Sequence, residues 1–124
     1  MELLRELVRV PSTLGNEEPA QTLVETQLRE LGFDVRSVVP DAARLAERPD
    51  SGLPLLPYDG RRSLVGTLAG GEGRSLLLNG HVDVVSAEPL AHWTRDPWGA
   101  EIEGDRLYGR GSGDMTDRRV GVSG

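Results

Sequence analysis

The first apolar positions along the chain fall at helical spacing. Leu3, Leu4, Leu7 and Val8 share one face of Met1 to Val10, and Pro11 ends the segment, which predicts a short amphipathic helix. Residues 11–15 read as a loop. Asn16 stands where it could cap a second helix, with Glu17 and Glu18 in its first turn, the end that suits carboxylates. Leu23, Val24, Gln27, Leu28 and Leu31 continue one face, and Gly32 sits where a glycine closes a helix. Phe33 to Val39 is strand-like. Each helix reads as scaffold rather than site.

Pro40 to Gly60 breaks the rhythm, with prolines at 40, 49, 54 and 57. Asp41 to Arg48 has room for a helical turn or two. The remainder reads as a surface loop, and the spacing of Pro54 and Pro57 is too slight to make it a proline-rich ligand. Ser63 to Leu68 and Ser75 to Asn79 read as strands around a Gly-rich turn at residues 69–74, which predicts a hairpin. A second hairpin is expected from Gly99 to Glu103 and Arg106 to Tyr108 around Gly104-Asp105.

The stretch that changes the picture is Leu76-Leu77-Leu78-Asn79-Gly80-His81-Val82-Asp83-Val84-Val85. It opens like a strand buried on both faces of a sheet. It closes on His81 and Asp83, two apart, which puts both on one face of an extended chain. A neutral imidazole is a common metal ligand, and a carboxylate on its other nitrogen fixes the tautomer. Open α/β sheets also place ligands at strand ends. A buried His bonded to its neighbour, or an Asn79-Gly80 turn, stays open as the alternative.

Composition narrows the chemistry. The 124 residues suffice for one domain with a core. A net charge of −6 speaks against a nucleic-acid partner, which needs clustered basic residues. There is no cysteine, so a metal would be held by His, Asp and Glu alone. No apolar run approaches a membrane span and no signal peptide opens the chain, so no membrane association and a cytoplasmic location are expected. All basic residues are Arg, a bias that says little about function.

Gly109-Arg110-Gly111-Ser112-Gly113-Asp114 is not a phosphate loop. A dinucleotide fingerprint needs Gly where Asp114 stands, and a Walker loop needs a Lys the chain does not have. The run reads instead as backbone crowded against a site, with Asp114 delivered into it. His92, Trp98 and Tyr108 read as surface or packing residues. Arg110 is either a partner for the carboxylates near Asp114 or a solvated charge.

Two motifs in order then carry a family likeness. Gly80-His81-Val82-Asp83-Val84-Val85, followed by Trp93, Asp96-Pro97-Trp98 and Leu107-Tyr108-Gly109-Arg110-Gly111-Ser112-Gly113-Asp114-Met115, resembles the M20 metallopeptidases. That family includes acetylornithine deacetylase, succinyl-diaminopimelate desuccinylase, aminoacylase and carboxypeptidase relatives. Val10-Pro11-Ser12 and Gly15-Asn16-Glu17 resemble its first loop, and the likeness covers about Leu3 to Met115. It implies an α/β fold, the N-terminal part of a zinc-exopeptidase-like catalytic domain with a central mixed sheet flanked by helices. His81 would ligate one of two zinc ions (cobalt being a possible substitute), Asp83 would orient His81 from behind, and Asp114 would bridge both metals. A shared carboxylate offsets the repulsion of two cations about 3.5–4 Å apart. The implied reaction is attack of a metal-activated water on the amide carbonyl of an N-acyl amino acid or small peptide, with a Glu as base.

The resemblance also marks departures. Family members are roughly three times longer. They supply a Glu-Glu pair, a further acidic ligand and a late His after the bridging Asp, and a later-inserted small domain that carries dimerisation. After Met115 the family has Lys or Thr, then two glycines and small apolar residues, whereas this chain follows Thr116 with Asp117-Arg118-Arg119-Val120-Gly121-Val122-Ser123-Gly124. The expectation is a partial catalytic domain over residues 1–115 and a divergent, disordered tail over 116–124. The function expected is the front part of a zinc-dependent amide hydrolase. The alternative is a truncated or frameshifted, catalytically inactive fragment that binds metal weakly.

Overall fold

A computed structural model describes residues 2–50 and 56–114. Its order is α1 (Glu2–Arg9), α2 (Glu18–Glu30), β1 (Asp34–Val38), α3 (Ala42–Ala46), β2 (Ser63–Thr67), a 3-10 turn at Leu90–His92, β3 (Glu101–Glu103) and β4 (Arg106–Tyr108). The chain divides into two compact units. One joins the residues up to Ala20 with those from Leu77 onward, and the other is Gln21–Leu76.

In the second unit, α2 ends in paired bonds. The Phe33 amide donates to the Leu28 carbonyl at 3.0 Å and the Gly32 amide to the Arg29 carbonyl at 3.0 Å, with Gly32 at φ +86°. That is a Schellman closure, and only a residue at ease in the left-handed region can supply its turn. The closure aims Phe33 back toward Leu28, and both lie over Gly66 of β2. A Cβ at Gly66 would stand 3.2 Å from Phe33 Cδ1 and 3.3 Å from Leu28 Cδ1. β1 and β2 pair antiparallel with Val35 opposite Gly66, and Val35 is buried. Polar bonds fasten α2 on its outer side. Arg29 and Arg62 both hold the Glu25 carboxylate, and Arg29 also donates to the Val35 carbonyl at 3.0 Å. The α3 turn starts on Asp41, whose carboxylate accepts from the amides of Ala43 and Arg44.

In the first unit the core is small: Val8, Ala20, Ala87 and Ala100 are buried with Ser12. Trp93 Nε1 donates to the Ala87 carbonyl at 2.8 Å, and the Arg110 amide donates to the Pro97 carbonyl at 2.7 Å. The first bond closes the loop over residues 86–98 on itself, and the second ties its far end to the glycine run. β3 and β4 form the expected hairpin with Gly104 at φ +62°. Arg95 clamps it, reaching Glu101 at 2.6 Å and Glu103 at 2.5 Å with its guanidinium 4.2 Å from the Tyr108 ring centre.

Four expectations are corrected. Ser63–Thr67 does form, but it pairs with β1 rather than with residues 75–79. Among the described residues there is no central mixed sheet, only two two-stranded antiparallel ones. The Leu76–Leu78 run is not a strand, and its side chains are 75, 90 and 61% exposed. An apolar strand of that kind forms only when neighbours take up both of its edges and both of its faces, and no described segment does so. Finally, Asn16 is not a cap. α2 begins at Glu18, and the Asn16 side chain donates from Nδ2 to Thr13 Oγ1 at 3.1 Å. The expected disordered tail over 116–124 lies outside the described residues.

Candidate functional site

The first unit gathers the three candidates around one cavity of about 90 Å³. His81, Asp83 and Asp114 line it with Val84, Val85, Arg110 and Gly111. No sheet edge carries them. Residues 81–83 run extended without belonging to a strand, and Thr13 and Val84 make a single parallel bridge.

The period of two works as expected. His81 Nδ1 lies 3.0 Å from the Asp83 carbonyl oxygen and 3.3 Å from Asp83 Oδ1. Both are acceptors, an arrangement that favours the tautomer of a neutral ring with its proton on Nδ1 and turns Nε2 toward another partner. The side chains are 46 and 49% exposed, so water screens the pair and its value lies in orientation more than in stability.

Asp114 reaches the cavity through the glycine run. Gly111 has φ +78°, and a Cβ there would stand 2.5 Å from Val84 Cγ1, so the position tolerates no side chain on either count. Ser112 closes the turn by donating from Oγ to the Gly109 carbonyl at 2.9 Å. Arg110 is half-buried, and among the described residues it makes no ion pair with a carboxylate. Its guanidinium lies 4.7 Å from the Trp93 ring centre, and its Nε is buried without a hydrogen-bond partner. His92 is exposed in the 3-10 turn, as expected of a surface residue. A larger hollow of about 400 Å³, lined by Leu90, Trp93 and residues 94–98, brings together no pair of metal-binding side chains.

The donor set suits a metal in kind. It offers one imidazole whose Nδ1 faces two acceptor oxygens and one exposed carboxylate, the ligands that zinc and related cations take. It falls short in number, because catalytic zinc uses three protein ligands. Among the described residues no group of three or more His, Cys, Asp or Glu side chains could hold a metal ion.

Sequence reasoning placed Ser12 and Trp93 only within the family likeness and gave neither a role beside the candidate residues; Ser12 holds the Val82 carbonyl and Trp93 meets Arg110, which lines the cavity. Ser12 is 70 positions from its partner Val82, a separation no local pattern reports. No described helix is long and apolar enough to cross a membrane.

Residues 77–122 match the profile of peptidase family M20/M25/M40. Succinyl-diaminopimelate desuccinylase of Methylocella silvestris is 37% identical over 121 residues, which cover 93% of this chain and 26% of that protein. The protein of that name from Cereibacter sphaeroides is 40% identical over 114 residues, 91% of this chain and 25% of the relative. That from Cupriavidus necator is 35% identical over 117 residues, 93% and 27%. The chain thus spans about a quarter of the length of the curated relatives it matches.

Proposed function

We propose, for a chain that belongs to peptidase family M20/M25/M40, that it supplies the front part of a metal-dependent site hydrolysing the amide bond of N-acyl amino acids, N-succinylated diamino acids first among them. The substrate class follows the names of its relatives. The observation that carries the reading is that His81, Asp83 and Asp114 line one cavity with His81 Nδ1 already engaged by Asp83. In this reading His81 Nε2 and the Asp114 carboxylate are metal ligands, zinc being the first choice and cobalt a substitute. Asp83 holds the imidazole, and Asp114 is the carboxylate placed to serve two cations at once. When bound, a divalent cation supplies Lewis acidity toward an amide carbonyl and toward water. The short Gly111 turn brings Asp114 in without a side chain of its own filling the space.

A second reading is favoured by the two-donor set. These 124 residues by themselves hold a metal weakly and turn over no N-acyl amino acid, the base and the remaining ligands not being among the residues gathered here. Titration with Co2+, followed by its visible absorption, tests the site. Weak binding is expected, lost in both His81→Ala and Asp114→Ala. Binding that survives both substitutions would remove the metal assignment. Metal-dependent turnover of an N-succinyl amino acid by the purified chain, abolished in Asp114→Ala, would remove the second reading.

A further inference from the structure

Ser12 is 2% exposed, the one buried polar residue among those described. Its hydroxyl donates to the Val82 carbonyl at 2.6 Å, and its own carbonyl accepts from the Val84 amide at 3.0 Å. The two bonds land on either side of Asp83. Ser12 is in turn held from its own side. Its amide donates to the Val10 carbonyl at 2.7 Å and the Thr13 amide to the Pro11 carbonyl at 2.8 Å, successive tight turns after the end of α1. One residue therefore grips the backbone before and after Asp83 from a rigid mount.

This matters because both oxygens facing His81 Nδ1 belong to Asp83, one on its backbone and one on its side chain. The carbonyl direction is set by the peptide torsions around residue 83, and those torsions are what the Ser12 bonds restrain. We propose that Ser12 is a positioning residue for the His81–Asp83 pair. It fixes the backbone of residues 82–84 so that Asp83 keeps the His81 proton on Nδ1 and leaves Nε2 free toward the cavity. The effect on metal affinity rests on the proposed function. The effect on the tautomer does not.

Removing the hydroxyl leaves the Val82 carbonyl without its donor and loosens one of the two grips. Bulk must be separated from hydrogen bonding at so buried a position, and Ser12→Thr and Ser12→Val do so. They add nearly the same volume, and only Thr keeps the donor. The readouts are the His81 tautomer, from long-range nitrogen–proton correlation spectra of the full chain with the ring neutral, and Co2+ affinity. In the unsubstituted chain and Ser12→Thr, the Nδ1–H form is expected to dominate. In Ser12→Val and Ser12→Ala, the Nε2–H form should appear and Co2+ affinity should fall about tenfold, the low end of what loss of a group behind a ligand costs. If Ser12→Ala does not fold, the Thr and Val pair decides. Equal spectra in that pair, or an Nε2–H form in the unsubstituted chain, would overturn the proposal. Should the tautomer shift as expected while no form of the chain binds Co2+, the metal reading falls and the role of Ser12 stands.

Discussion

Gly109→Ala is expected to expose how closely the glycine run is packed. A Cβ at residue 109 would press into Val8 Cγ1 and stand 3.0 Å from the Pro97 carbonyl oxygen. Val8 is 2% exposed, the largest side chain so fully enclosed, and has nowhere to turn. Overpacking of this kind costs about 1–3 kcal/mol. A loss of unfolded-chain freedom worth about 0.4–1 kcal/mol works against it, leaving a destabilisation of roughly 1–2 kcal/mol. Val8→Ala removes two buried methyl groups, at about 0.8 kcal/mol each before any cavity term. The double substitution should cost less than the sum. With both Cγ atoms gone, the nearest part of residue 8 is its Cβ, 3.7 Å away and in ordinary contact, while the Pro97 oxygen still crowds the new methyl. A favourable coupling of about 1–2 kcal/mol is expected, within the range that touching residues show. Urea denaturation of the four chains, followed by circular dichroism, measures it. Additivity within about 0.3–0.5 kcal/mol would show that α1 and the glycine run do not meet as described.

Acid should weaken the second unit through Glu25. Its carboxyl is held below its ordinary value of 4.5 by the hydrogen bond from Arg29 first, then by that from Arg62. A carboxyl whose folded pKa is depressed contributes stability that is present above the unfolded value and lost as pH falls through the folded one. The urea midpoint should therefore fall from about pH 4.5 downward, and less steeply in Glu25→Gln; parallel curves would contradict the assignment. Gly32→Ala meets open space but keeps φ at +86°, so it should cost about 1–2 kcal/mol. Gly32→Asn should cost less, since Asn tolerates that conformation. Denaturation midpoints that rank Asn no better than Ala would mean that the turn, and not its torsion, sets the cost.

The sequence by itself determined what short-range forces decide. The spacing of Leu3, Leu4, Leu7 and Val8 marked α1, Gly32 marked the end of α2, and Gly104-Asp105 marked the β3–β4 hairpin. Each is settled within a few residues by hydrogen bonds and torsions along one stretch of chain. His81 and Asp83 were legible as a pair for the same reason, because residues two apart in an extended chain share a face. Asp114 joined them only through the likeness to a family, since nothing local ties residue 114 to residue 81. The tertiary structure decided the rest. The composition of Ser63–Thr67 marks a strand and says nothing about which strand will pair with it, so β2 could lie against β1 instead of residues 75–79. The run Leu76–Leu78 has the composition of an interior strand, but composition does not supply neighbours. Ser12 on Val82 and Val84, Gly109 on Val8 and Arg110 on Trp93 are contacts between segments far apart in the chain. Their energy depends on where the backbone brings two surfaces together, and a hydroxyl, a missing Cβ or a guanidinium carries no mark of its distant partner.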